Sequence, residues 1–207
     1  MKNKNSNTTT MKTQITKIIA AALLLTAGTT LNANNGTAEK SVTVSTENQK
    51  AVVLQLSNLN EGTEISLRSE DGGILFQDKA TEAQYAKVFN LKSLEEGDVY
   101  LEIESDEQLE VLTIQVTDTE AYLKKSSALI IEKAIVKMQG EMAKVFFGQN
   151  EGETKVTLFD QSNDIVYRHT AENGGSKTYD LSNLADGTYT FQFKSGGKTF
   201  YHSVTIK

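Results

Sequence analysis

Apolar and polar residues alternate along most of this chain with a period of two. Val52, Leu54 and Leu56 are separated by Val53 and Gln55, and Tyr189, Phe191 and Phe193 by Thr190 and Gln192. Successive side chains of a β-strand point to opposite sides, so this alternation predicts half-buried strands. In the first half it predicts seven: around Val42 and Val44, then at 52–56, 65–67, 74–76, 85–91, 99–103 and 109–116. The second half repeats the series at 134–138, 143–147, 154–159, 165–168, 178–181, 188–193 and 200–206. No run with helical period follows the first 33 residues.

The two series are copies. ISLRSEDGGILFQ, from Ile65, returns 91 residues later as VTLFDQSNDIVYR, and FNLKSLEEGDVYLEIES, from Phe89, returns 90 residues later as YDLSNLADGTYTFQFKS. Turn chemistry matches as well: Gly72 corresponds to Asn163, two residue types that tolerate the left-handed backbone of a tight hairpin. Gly97 matches Gly187, and Leu91 and Leu94 match Leu181 and Leu184, a pair placed to plug one end of a sandwich. One folding unit used twice is the reading, each unit seven short strands in two packed sheets. The fold class is all-β, a tandem of two small Ig-like β-sandwiches, with one merged sandwich as the alternative. Repeat 1 covers residues 39–116, a linker 117–128, and repeat 2 residues 129–207. The linker reads equally as an extended strand or a helical turn, and Ala128 to Ile131 is apolar enough to dock.

Ahead of the repeats, Lys12 and Lys17 precede the apolar run from Ile18 to Thr26, which small and polar residues follow. That is the anatomy of a secretory signal peptide, cleaved after Ala33 or Ala38, and its apolar core is too short to span a bilayer. Residues 1–33 are assigned to it. The chain has no cysteine, so disulfides and zinc-thiolate sites are excluded; export without disulfides points to a bacterial envelope or secreted protein. There is no proline either, so strand edges are expected to be protected by charge. Residues 34–116 hold 6 bases and 16 acids, whereas residues 129–207 hold nine of each. An acidic surplus confined to repeat 1 argues against nucleic acid and anionic membranes as partners.

Candidate chemistry is sparse. His169 and His202 fall on strands, have no cysteine to activate, and are expected to face solvent. Asp160, Asn163 and Asp164, and likewise Glu104, Asp106 and Glu107, are acid-rich loop groups that suggest calcium, but three ligands are only a start on the six to eight it takes; a turn-forming role is the stronger reading. Tyr189, Phe191 and Phe193 belong to one face, expected to be the core, while one of the adjacent Phe200 and Tyr201 must point away. The sequence therefore predicts no catalytic residue, no metal and no cofactor, and the protein is read as a non-enzyme. A calcium- or carbohydrate-binding module is kept as an alternative class.

YDLSNLADGTYTFQFKSGGKTFYHSVTIK resembles the C-terminal sorting domain of the type IX (Por) secretion system, a small Ig-like sandwich. The resemblance covers about the last 55 residues, with a weaker echo at 63–116. Leu158, Asp160, Ile165 and Val166 fall at that family's first strand and hairpin. Leu181, Leu184, Gly187 and Tyr189 fit its second block, and Val204, Ile206 and Lys207 its last strand and basic end. Two features depart from the pattern: the proline-containing entry is missing, and Asn163 replaces the hairpin glycine. The chain is also similar to small secreted two-repeat Ig-like bacterial proteins. The resemblance implies secretion machinery or envelope proteins as partners and a periplasmic, cell-surface or extracellular location. The expected role is a structural or interaction module at the surface, with repeat 2 as a sorting domain the alternative.

Overall fold

A computed structural model describes residues 40–45, 50–124 and 128–207; the signal-peptide assignment lies outside the described residues. Every regular element among them is a strand. Repeat 1 supplies β1 (Lys40–Ser45), β2 (Ala51–Leu56), β3 (Glu64–Ser69), β4 (Ile74–Lys79), β5 (Tyr85–Asn90), β6 (Gly97–Glu104) and β7 (Gln108–Val116). Two further strands follow, β8 (Ala121–Leu123) and β9 (Leu129–Glu132). Repeat 2 supplies β10 (Ile135–Gln139), β11 (Met142–Phe146), β12 (Thr154–Phe159), β13 (Ile165–Ala171), β14 (Ser176–Asp180), β15 (Gly187–Ser195) and β16 (Lys198–Ile206). All fourteen strands expected from the alternation are present.

Sheet topology carries the repeat. The order β1-β2-β5 in repeat 1 reappears as β10-β11-β14, and β4-β3-β6-β7 reappears as β13-β12-β15-β16. Detail agrees down to single hydrogen bonds. The Leu91 N–H donates to the Lys50 carbonyl at 2.7 Å, and the Leu181 N–H to the Glu141 carbonyl at 3.0 Å. A bulge shifts the register between Leu67 and Arg68, and again between Leu158 and Phe159. Gly72 and Asn163 both have positive φ, 86° and 62°, as the hairpins require.

The described residues divide into two compact units, one made of residues 40–45, 50–61, 80–99 and 114–124, the other of 62–79, 100–113 and 128–207. In the first, Val52, Leu54 and Leu56 are buried while Gln55 is exposed, and β8 lies beside β1 and β2. The second contains all of repeat 2, whose two sheets enclose one core. Ala143 and Val145 from β11 and Tyr179 from β14 meet Val156 and Leu158 from β12, Phe191 and Phe193 from β15, and Val204 and Ile206 from β16. Tyr189, Phe191 and Phe193 are buried as their spacing predicts, and the Phe191 and Phe193 rings stack 5.8 Å apart. Removing ~150–250 Å² per aromatic side chain from water makes this triplet the main apolar anchor of repeat 2.

The linker differs from a simple connection. Ala121–Leu123 pairs with Ile114–Val116 of β7, and Leu129–Glu132 pairs with Gln108–Val111 of the same strand. Both added strands lie on the β7 edge. The apolar run at 128–131 docks because Ile131 is buried with Leu109 and Val111, against Tyr100 and Phe200. Edge protection by charge is only partly what the chain uses. Ile74 and Leu75 on β4, and Ile165, Val166 and Tyr167 on β13, are exposed at sheet edges. The paired bulges beside them twist these edges away from flat strand pairing, which is the other standard protection.

Candidate functional site

Repeat 2 sorts its motif residues into two groups. Leu158, Leu181, Tyr189, Val204 and Ile206 are buried, and Leu184 packs against the same core half-buried. Their local bonds set the turns: the Leu184 N–H donates to the Leu181 carbonyl at 2.9 Å, and Asp180 accepts from the Ser182 backbone and hydroxyl at 3.0 and 2.6 Å. The Ser182 hydroxyl and N–H hold the Asp180 carboxyl below its ordinary pKa. Ile165, Val166 and Lys207 are exposed, Asp160 is half-buried in its hairpin, and Gly187 opens β15. One bond was not foreseen. The Tyr189 hydroxyl donates to the Ala185 carbonyl at 2.8 Å, the tyrosine corner of Ig-like sandwiches. The signal for it was a tyrosine two residues after Gly187, where repeat 1 has Val99.

Asp160 acts as a turn residue. Its Oδ1 accepts from the Ser162 and Asp164 N–H groups at 2.8 and 2.9 Å, an Asx-type closure of the hairpin. In the other acid-rich loop, Glu104 is ion-paired with Lys133 at 2.6 Å. Among the described residues no group of three or more acids or histidines is arranged to hold a metal ion. His202 faces solvent, as expected from the sequence. His169 does not: it is half-buried on β13 beside Tyr167 and Tyr179, with Lys177 Nζ 3.3 Å from its ring. Facing inward at the sheet edge, it packs in an aromatic cluster that the spacing alone could not assemble. The Tyr179 hydroxyl there is buried without a hydrogen-bond partner among the described residues, and burial together with Tyr167 pushes its pKa up to about 12.

The segment that joins repeat 2 to the β6–β7 half of repeat 1 is a second concentration of polar chemistry. Asn150 grips β9 from both sides, accepting the Glu132 N–H at 2.8 Å and donating to the Glu132 carbonyl at 2.7 Å. It also donates to Ser195, which takes the Thr154 hydroxyl at 3.0 Å. Glycines make this approach feasible: a Cβ at Gly148 would fall 2.6 Å from the Glu132 carbonyl oxygen, and one at Gly196 2.9 Å from Ile131 Cγ1. Beside it Glu102, 7% exposed, accepts from Arg68 Nε and Lys198 Nζ, both at 2.7 Å. Burial alone would raise the Glu102 carboxyl, but the hydrogen bonds and charges of Lys198 and Arg68 bring it below its ordinary value. Strand alternation places Glu102 outward on β6, so it reads as a solvent residue in sequence; Arg68 of β3 and Lys198 of β16 are what close over it.

Comparison with known proteins follows this division. Residues 140–207 match the family described as Secretion system C-terminal sorting domain. The match takes in every motif residue from Leu158 to Lys207, and it marks the protein as exported or cell-surface. No curated protein matches the chain. Among solved structures it is similar to a biofilm-associated protein BSP domain, at 15% identity, with 77% of this chain and 27% of that chain covered and a TM-score of 0.29. The chain thus spans about a quarter of that structure's length. It is also similar to the human OSCAR ligand-binding domain, at 7% identity, 81% and 97% coverage and a TM-score of 0.25. A third is a bacterial adhesin from Mobiluncus mulieris, at 14% identity, 76% and 80% coverage and a TM-score of 0.19. No helix among the described residues is long and apolar enough to cross a membrane.

Proposed function

We propose that this protein is a non-enzymatic structural or interaction module of the cell surface, and that its repeat 2 is the sorting domain by which secretion machinery exports it. The match over residues 140–207 carries this reading. The structure supports it by showing that residues within the match form a sandwich with its own core. A sorting signal must survive as a recognisable folded tail, and a core drawn from the tail's own strands supports that. Repeat 1, with 16 acids among residues 34–116, is on this reading the part displayed. Its boundaries are taken as 39–116, and those of the sorting repeat as 129–207.

The test is a fusion of residues 129–207 to a periplasmic reporter in a bacterium with this secretion system. Appearance of the reporter at the surface or in the medium is expected. A reporter retained in the periplasm, although folded and protease-resistant, rejects the sorting role.

A further inference from the structure

Repeat 2 presents one sheet face whose charges are left without partners. Arg168, Lys155, Lys194 and Tyr201 stand outward on β13, β12, β15 and β16, and all four are exposed. Lys155 is directly opposite Lys194 across the β12–β15 pairing, and Arg168 is diagonal to Lys155. Like charges placed opposite one another destabilise a sheet, so this arrangement calls for an anion. No outward strand position of the face carries an acid; Glu151 and Glu153, which line one depression together with Lys155 and Lys194, belong to the loop before β12. None of the three cations is ion-paired among the described residues. Tyr201 adds an open ring, 65% exposed.

Repeat 1 carries the opposite sign at the matched positions, Glu64 for Lys155 and Glu104 for Lys194. Within one molecule its acids already take lysines: Glu102 holds Lys198, and Glu104 holds Lys133. Its exposed β3–β4 hairpin has Glu70 and Asp71 next to Ile74 and Leu75, which are 55% and 42% exposed. Acid and aliphatic groups at one hairpin tip complement cations and an open aromatic ring on one face.

We infer that the basic face of repeat 2 docks the acidic β3–β4 hairpin of a second molecule of this chain. The docking is reciprocal in principle: it closes as a two-fold pair when both hairpins engage at once and runs head-to-tail from molecule to molecule when they do not. Exposed charges drive it, so salt weakens it. The inference does not depend on the sorting role, because the face and the hairpin belong to the folded protein wherever it resides.

Sedimentation velocity of the exported protein, at about 50 mM and about 500 mM salt, tests this. Concentration-dependent species larger than a monomer are expected at low salt, with an apparent Kd at least about tenfold weaker at high salt. Lys155→Glu with Lys194→Glu should abolish association, and so should Glu70→Lys with Asp71→Asn, which keeps an oxygen to accept the Ser69 and Gly73 turn bonds. Mixing the two variants should restore it, because each retains the surface the other lacks. All four positions are exposed, and a thermal melt of each variant establishes that it folds. A wild-type protein that stays monomeric at low salt overturns the inference, as does association that survives either reversal. Polygalacturonate serves as the competing occupant: if it binds a monomeric wild type and fails to bind Lys155→Glu with Lys194→Glu, the face belongs to an acidic polysaccharide.

Discussion

Replacing Glu102 by glutamine isolates the carboxylate that Arg68 and Lys198 hold. Glu102 is 7% exposed, and its two oxygens accept from Lys198 Nζ and Arg68 Nε at 2.7 Å each. Removing one member of a buried ion pair costs about 3–5 kcal/mol when the other is left buried. Here the Lys198 and Arg68 side chains are 40% and 31% exposed, so both cations regain water. The expected loss is accordingly about 1–3 kcal/mol, discounted for that solvent access. At roughly 2–4 °C per kcal/mol for a chain of this size, Glu102→Gln should lower Tm by about 4–8 °C near the middle of the range. Because the folded pKa lies below the ordinary 4.5, the stabilisation is full above about that pH and is lost as pH falls through the folded value. Thermal melts followed by circular dichroism, from neutral pH down to about pH 3, should show the gap between wild type and Glu102→Gln closing in acid. A gap that stays constant over that range, or a neutral-pH Tm within about 1 °C of wild type, refutes the reasoning.

Three further substitutions probe backbone requirements. Gly196→Ala should cost about 1–3 kcal/mol in thermal or urea unfolding, because φ is 56° and the new Cβ would lie 2.9–3.1 Å from three Ile131 atoms. At the β12–β13 hairpin, Asn163→Gly should unfold within a few tenths of a kcal/mol of wild type, since glycine accepts its φ of 62° freely. Asn163→Val at the same turn should lose about 1–2 kcal/mol, the cost of a β-branched residue in the left-handed region.

How far the chain could be read follows from which interactions are local. Alternation located fourteen strands because each buries one face, and the hairpin was visible because Gly72 and Asn163 answer the same backbone demand. The strands β8 and β9 carry no such mark. Leu129, Ile130 and Ile131 are consecutive apolar residues, and only the β7 edge and Phe200 decide that Ile131 is the buried one. Glu102 and Ser66 were illegible for the same reason. Alternation gives each the outward side of its strand, yet both are buried, because cover from distant segments overrides strand period. His169 shows the converse: its neighbours Tyr179 and Lys177 come from β14, and nothing near position 169 announces them.

The duplication constrains what can distinguish the two repeats. Positions that build the sandwich are shared, including the paired leucines, the bulge and the left-handed hairpin residue, so a receptor reading those would not separate one copy from the other. Even the exposed aliphatic tip is common, Ile74 and Leu75 in one repeat and Ile165 and Val166 in the other. Yet the sorting family matches only residues 140–207. What differs is the tyrosine corner at Tyr189 against Val99, the sign reversal at Lys155 and Lys194, and Tyr201 against Val111. Tyr189 is buried and therefore acts on stability, whereas the sign reversal and Tyr201 lie on the outward sheet face. In repeat 1 this face is acidic and covered by Ile131, Lys198 and Phe200. In repeat 2 it is basic and open, so the same sheet face is closed by its own chain in one copy and exposed in the other.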